Sequence, residues 1–383
     1  MTEVSKKYEA LSVGKGDAMV LKRRTQIKIK QLGILTGTWM LVGIFITIYD
    51  YLALTTQYSL GPSTEYSFDF ALAMNLVSAL IGALLGGSFM VFYINVKFQD
   101  KPYGYTIAAV AVSFILIIGF IILILGLIFV PLKTGKSLFD PVTRASLNNF
   151  LFDTSRIKNT MIWSVVVGLT QLFLQMNNKF GHGVFWNILK GKYNTPKEEY
   201  RIFMSLDINS STAIAEKLGN EKYHELLKDF FADVTNPIID NRGEIYQYVG
   251  DEVVVAWKYE DGIEDNQCIN CFFDMKKQIE KKKDKYLKYY GLVPSFKAGI
   301  HWGKVIVGEV GIIKRDITYS GDVLNTTSRI LNKCKEFDVE IIASEDILSA
   351  LNLTRNYVAR SLGSFKLRGK GKEILLTTLK LAP

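Results

Sequence analysis

The sequence predicts an α-helical membrane domain of four transmembrane helices followed by an α+β domain. Three observations carry this. Four long apolar runs lie between residues 32 and 176, and mean hydropathy is positive. Beyond residue 199, strand and helix patterns alternate, with hairpin signals between them. The chain of 383 residues has a net charge of +9, and much of the basic excess sits beside the apolar runs. In a nucleic-acid binder that excess would form a basic patch; here it reads as membrane topology, with no nucleic acid as partner.

Residues 1–31 are polar and carry Lys6, Lys7, Lys15, Lys22, Arg23, Arg24, Lys28 and Lys30. They are too long and too polar for a cleavable signal and read as a cytoplasmic tail. The four-helix domain, 32–176, holds the runs Leu32–Tyr49, Phe70–Val96, Tyr105–Leu132 and Asn159–Met176. Each is long enough, or nearly so, to span the hydrocarbon. The loop Ala53–Ser67 has no Lys or Arg and belongs outside; Lys97 and Lys101 place the second loop inside. The third loop, Lys133–Lys158, carries five basic residues yet falls outside if all four runs span. That strains the positive-inside rule, and Lys179, Lys190, Lys192 and Lys197 on the cytoplasmic side oppose it. An even count leaves the N-terminus and the second half in the cytoplasm, at the plasma (inner) membrane.

Within these runs Ser78, Gly82 and Gly86 form a small-residue stripe, suited to a seam between copies or to packing inside the bundle. Asn75, Gln171 and Gln175 read as interhelical hydrogen-bonding residues; no pair of membrane-centre charges suggests a pump. Residues 177–198 couple the two halves. Phe185, Trp186, Ile188 and Leu189 with Lys190 and Lys192 suit an amphipathic segment lying against membrane lipid, and Pro196 marks a break. No separate soluble sensor domain fits the remaining length. The three cysteines form no disulfide framework: Cys268 and Cys271 sit in a helix-like stretch as reduced thiols, and Cys334 suits a core or an interface.

The second half, 199–383, reads as a strand (200–208), helices (211–240), a hairpin (244–258), a charged helix (261–289) and a strand pair (294–310). A strand (316–320), a helix (321–336), a strand (339–343), a short helix (345–352) and a final hairpin (357–381) follow. Ile202, Phe203, Met204 and Leu206 suit a strand covered on both faces, which Asp207 ends. Ser210, Ser211 and Thr212 are N-cap types before the periodic stretch Ala213–Leu218, so a helix N-terminus there offers free N–H groups to a phosphate. Gly250-Asp251 stands between two β-rich runs, which places an acid at a hairpin tip. Two Asp residues at neighbouring strand ends can hold two hard cations through oxygen, an arrangement suited to in-line attack on phosphorus. Asn325 and Arg329 are spaced i, i+4 and share a helix face; an amide and a guanidinium there suit a ribose and a developing phosphorane charge. His301 and Trp302, before Gly303 in the strand-turn Gly299–Gly308, receive no chemistry, and Lys276–Lys288 reads as a solvated helix face.

These three pieces, in this order and spacing, resemble the class III nucleotidyl cyclases, membrane-anchored and of bacterial type. Leu206-Asp207-Ile208 with Thr212 looks like the family's metal strand, Val249-Gly250-Asp251 its hairpin, and Asn325-Thr-Thr-Ser-Arg329 its transition-state helix. The match runs from about Glu199 to Leu381. It implies an α+β class III cyclase catalytic domain with a mixed sheet. It further implies that Asp207, the Ile208 carbonyl and Asp251 hold two divalent cations, Mg²⁺ or Mn²⁺. The ribose 3′-OH attacks the α-phosphorus, giving a 3′,5′-cyclic nucleotide and pyrophosphate. One cation lowers the pKa of that hydroxyl and the other binds the triphosphate. Arg329 stabilises the pentavalent phosphorus and Asn325 orients the ribose. Ser364–Gly371 resembles the family's late phosphate-binding segment, with Arg368 at the matching position and Lys370 two residues on.

The family's sites are shared between subunits, which implies a homodimer. Its base-selecting positions fall at Gln247 and Thr318. Thr318 fits the adenylate pattern and Gln247 departs from both usual patterns, so ATP is the expected substrate and GTP the alternative. A diguanylate cyclase is a second alternative, since Val249-Gly-Asp-Glu252 superficially resembles that family's hairpin, although that family has no need of Asn325 and Arg329. A non-catalytic nucleotide-binding membrane receptor is a third; every expected metal and phosphorane position is filled, which argues against it.

Overall fold

The computed structural model describes residues 23–58, 67–98, 101–180, 187–188, 190–313, 315–353, 356–367 and 371–382. The chain divides into two compact units, Ile27–Phe180, and Gly181–Pro383 together with the residues up to Gln26, so that the first turn of the first helix falls in the second unit.

The helical unit contains α1 (Arg23–Tyr58), α2 (Phe68–Lys97), α3 (Tyr103–Thr134), α4 (Pro141–Leu151) and α5 (Thr154–Phe180). Among the described residues there are four helices long and apolar enough to cross a membrane. Helix α1 starts within the stretch read as a tail: Arg23–Gln31 continues the helix of the first apolar run. The basic third loop is not a plain loop, because α4 occupies its middle. Asp140 caps α4 by accepting from the Val142 N–H at 2.9 Å, and Pro141 opens the first turn. Helix α4 folds back on α3, where a side chain at Gly126 would meet Leu147 at 2.9 Å.

The polar residues within the apolar runs pair between helices. Asn75 donates to the Thr47 hydroxyl at 2.8 Å, Gln171 to Asn95 at 3.2 Å, and the Trp39 indole to Thr170 at 3.0 Å. The small-residue stripe divides in use. A side chain at Gly82 would meet the Trp39 ring at 3.5 Å, so that position packs internally, whereas Gly86 has nothing within 4 Å.

The second unit is built on one mixed sheet. Its strands are β1 (Lys197–Ile208), β2 (Glu244–Val249), β3 (Glu252–Lys258), β4 (Phe296–Val310), β5 (Asp316–Ser320), β6 (Ile341–Ser344), β7 (Tyr357–Phe365) and β8 (Ile374–Leu381). The order is β2-β3-β1-β4-β6-β8-β7, with β5 on β4. The β4–β6 pair is parallel and the other pairs are antiparallel. Where a strand pair was expected over 294–310, β4 is a single strand of 15 residues. Gly299, Gly303 and Gly308 looked like a turn; instead they let other elements approach the strand.

This unit's helices of eight residues or more are α6 (Ser211–Leu218), α7 (Asn220–Asp240), α8 (Gln267–Lys281), α9 (Lys283–Tyr290) and α10 (Asp322–Glu336), with shorter turns of helix at Tyr259–Ile263 and Glu345–Leu348. The charged helix expected over 261–289 is therefore broken, between α8 and α9 at Lys282.

Strand residues alternate between faces, and this decides where chemistry can sit. On β1, Ile202, Met204, Leu206 and Ile208 enter the main core with Leu226, Phe230, Val234 and Ile238 of α7 and Cys268 and Phe272 of α8. Arg201, Phe203, Ser205 and Asp207 face the other way. Their antiparallel partners on β4 are Gly303, His301, Gly299 and Lys297. Helix α10 lies on that second face. A side chain at Gly299 would come within 2.4 Å of the Leu331 N atom and 2.7 Å of the Thr327 carbonyl, and one at Gly303 within 2.7 Å of Val323. Backbone against backbone leaves no flexible side chain to give way. The three cysteines are buried and free, and burial pushes the Cys268 and Cys334 thiols up to about 12, which makes them unreactive packing groups.

Gly299→Ala is expected to lift α10 from β4 and to cost about 1–3 kcal/mol. Denaturant unfolding of the purified chain measures this; a variant as stable as wild type would show that the contact relaxes freely.

Candidate active site

The site forms where β1, the β2–β3 turn and α6 meet. Asp207 is the penultimate residue of β1, opposite Glu252 on one side and Lys297 on the other. Asp251 sits in the two-residue turn between Val249 and Glu252, after Gly250, whose φ of +63° supplies the left-handed backbone that such a turn needs. The two carboxyl groups approach each other, close enough for Asp251 to raise the Asp207 carboxyl. Burial first, then that contact with Asp251, push the Asp207 carboxyl up to about 6, against the opposing pull of Lys297. The Lys297 ammonium lies 3.1 Å from Asp207 and is largely buried.

Beside this pair the chain turns through Ser210, at φ +54°, into α6. Ser211 is half-buried and Thr212 exposed, and the first N–H groups of α6 have no partners within the helix. Tyr223, one turn into α7, closes the group: its hydroxyl is hydrogen-bonded to Ser211 and feels the charge of Asp251 and Asp207. Burial, and then Asp251, hold this phenol above its usual value, so it stays a neutral donor. The oxygens of Asp207 and Asp251, with the carbonyl of the buried Ile208 beside them in the chain, make an all-oxygen donor set suited to a hard divalent cation. A cation there would replace the Lys297 contact with Asp207.

Asn325 and Arg329 stand one turn apart on α10, Asn325 exposed and Arg329 half-buried. The Arg329 Nη1 atom is buried and makes no hydrogen bond. Among the described residues neither Asp207 nor Asp251 pairs with Arg329. Gln247 is exposed on β2, just past a bulge between Ile245 and Gln247. Thr318 is half-buried on β5, its hydroxyl 3.4 Å from the Gly308 carbonyl. The neighbouring rings Tyr246 and Tyr319 are 4.8 Å apart, so the strands carrying Gln247 and Thr318 come together. Arg368 and Lys370 lie outside the described residues, as do Phe185, Trp186 and Leu189.

A family model described as the adenylate and guanylate cyclase catalytic domain matches residues 193–378. These residues form a class III cyclase catalytic domain. Over 222 residues the chain is 33% identical to adenylate cyclase 2 of Rhizobium meliloti (strain 1021), covering 58% of this chain and 61% of that protein. It is 27% identical over 180 residues to an adenylate cyclase of Anabaena cylindrica, covering 45% of this chain and 35% of that one. In fold it resembles a bacterial light-regulated adenylyl cyclase, with a TM-score of 0.51, 20% identity, and coverage of 59% of this chain and 66% of that one.

Two residues of this cluster were not found from sequence. Lys297 reaches Asp207 only through the β1–β4 register, and a Lys in an apolar strand carries no local signal. Tyr223 has the spacing of a core residue on α7, and part of it does pack against the core.

Because Asp207 has a higher pKa folded than unfolded, it contributes stability below about pH 4, lost as pH rises through about 6. Asp251→Asn should remove the carboxylate pairing and leave Lys297 matched. In EDTA at pH 8 the variant should unfold later than wild type by about 1 kcal/mol, discounted for half exposure, or roughly 2–4 °C. Thermal melts at pH 8 and pH 4 check this: the difference should close at the lower pH.

Proposed function

We propose that the protein is a membrane-bound adenylate cyclase, converting ATP to 3′,5′-cyclic AMP and pyrophosphate in a homodimer. The observation that carries the reading is the apposition of Asp207 and Asp251 beside the α6 N-terminus. Two carboxyl groups set side by side in a half-buried site favour a cation, and free N–H groups next to them favour a phosphate. Mg²⁺ or Mn²⁺ held by Asp207, the Ile208 carbonyl and Asp251 would supply acidity to the ribose 3′-OH and positive charge to the triphosphate.

The chain's own groups do the rest. The α6 N-terminus, with Ser211 and Thr212, receives the polyphosphate. Lys297, freed from Asp207, offers its ammonium to the same oxygens. Attack of O3′ on the α-phosphorus forms one P–O bond and breaks the bond to the bridging oxygen, so that pyrophosphate leaves with the electron pair. Arg329 meets the charge developing on the phosphorane and Asn325 holds the ribose. Arg368 and Lys370 are assigned to the terminal phosphates from sequence alone.

A second copy is part of this reading. Arg329 keeps a buried donor without an acceptor, at a cost of about 1–3 kcal/mol that an oxyanion from a composite site would relieve. Val310, Ile312 and Ile313 stand exposed between β4 and β5, an apolar surface for the second copy to cover. The four helices anchor the protein in lipid, with the catalytic unit on the cytoplasmic side, where ATP is.

Both relatives named above are adenylate cyclases, which supports ATP as substrate. Gln247 and Thr318 would read the base. Each can donate or accept, so discrimination is modest: ATP over GTP by roughly ten- to a hundredfold in kcat/KM. Equal concentrations of the two nucleotides with Mn²⁺ test this, and mainly cyclic GMP would overturn the assignment of base.

Asp207→Ala and Arg329→Ala are each expected to be inactive while folded. Co-expressed, they should recover up to about a quarter of wild-type activity, because half of randomly paired dimers are mixed and each has one intact site. Mixed dimers without activity would refute the shared site.

A further inference from the structure

Arg201 is 2% exposed, a charge almost wholly removed from water. Such a group persists only if its donors are met. They are. Its Nε and Nη2 donate to Glu199 Oε2 at 2.8 and 2.6 Å, and Nη1 donates to Glu244 Oε2 at 3.3 Å. The other Glu199 oxygen accepts from Lys192 and from the Tyr193 hydroxyl, each at 3.2 Å. Burial alone would push Glu199 up, but Arg201 and Lys192 hold it below the usual carboxylate range, so it is ionised at neutral pH.

The guanidinium also lies over the Tyr319 ring, 5.4 Å from its centroid. Tyr319 stands edge-on to Tyr246 at 4.8 Å and to Phe203 at 5.3 Å. This cluster therefore joins β1, β2 and β5. In the sheet β2 bonds only to β3, and β5 only to β4. No ladder fixes β2 against β5; side chains do, and Arg201 is the charged centre of that contact. Gln247 follows Tyr246, and Thr318 precedes Tyr319.

We propose that Arg201, clamped by Glu199 and Glu244, is a positioning residue for base selection: it holds Tyr319 against Tyr246 and so sets the spacing between Gln247 and Thr318. This rests on the reading of those two residues as the base-recognising pair. Two small polar groups distinguish one purine edge from another only if their separation is held within about 0.5 Å. A looser pair still binds a purine, but loses the preference between purines.

The test uses the full chain in membranes, with Glu244→Gln, Arg201→Lys and Arg201→Met. Glu244→Gln keeps size and removes one charge; Arg201→Lys keeps the charge and removes the planar fork. For each, kcat/KM is measured with ATP and with GTP, and dissociation constants with 3′-deoxy-ATP and 3′-deoxy-GTP, which bind but cannot cyclise. The ATP-to-GTP ratio should fall toward unity by at least about threefold in Glu244→Gln and further in Arg201→Lys, the range expected for coupled neighbours. A general loss of structure would weaken both nucleotides by one factor and leave the ratio alone, and that result overturns the proposal. Should Arg201→Met fail to fold, Glu244→Gln decides. Should wild type make no cyclic nucleotide, the cyclase reading falls, while the ratio of 3′-deoxynucleotide affinities still tests Arg201.

Discussion

The close approach of α10 to β4 at Gly299 is the constraint on which the catalytic unit depends. A helix normally sits about 10 Å from a sheet because side chains separate them. Here the separation is reduced until Leu331 N and the Thr327 carbonyl lie where a Cβ of residue 299 would be. Gly303 repeats the device one helical turn away, against Val323. Two such points fix the helix in translation and in rotation. Asn325 lies between those contacts and Arg329 just before the last of them, so their placement follows from packing rather than from bonds of their own. The same strand, through its register with β1, sets Lys297 opposite Asp207.

Two clusters of charge on that face behave in opposite ways. Around Arg201 each nitrogen of the guanidinium group has a carboxylate acceptor, and Lys192 and Tyr193 support the nearer of the two carboxylates. Such a network is rigid, and breaking one member leaves a buried charge exposed to none of its partners. Around Asp207 the balance is poor: two carboxyl groups face one lysine, and burial together with Asp251 pushes the Asp207 carboxyl up to about 6. A site that is uncomfortable without its ligand gains most when the ligand arrives. Local discomfort at a binding site beside a satisfied support is the usual division of labour in enzymes.

The parts of the site that were legible in sequence are those written locally. The apolar run ending at Asp207, the glycine before Asp251 and the i, i+4 pair Asn325/Arg329 each need only neighbours in the chain to be recognised. Lys297 and Tyr223 needed the register of β4 on β1 and the return of α7, neither of which a single stretch encodes. Strand β4 was divided in two because Gly299, Gly303 and Gly308 suggest a turn; their real use is close approach from outside the strand. Helix α4 was passed over as a basic loop, since its Asp140-Pro141 start is a short signal among scattered Lys and Arg.

Under the proposed membrane anchoring, the helical unit meets the same need for a unique register in a different solvent. In lipid, apolar side chains do not distinguish one helix pairing from another, since the surroundings are equally apolar. Polar pairs do: Asn75 with Thr47, Gln171 with Asn95, and Trp39 with Thr170 each tie a particular turn of one helix to a particular turn of another. Sliding any of these helices by one turn would strand an amide or hydroxyl in hydrocarbon, at a penalty of several kcal/mol for groups left without partners. Arrangements of the bundle are thereby limited to those in which such groups find partners. The buried Oε1 atoms of Gln171 and Gln175, which accept no hydrogen bond, mark where the present arrangement is least satisfied.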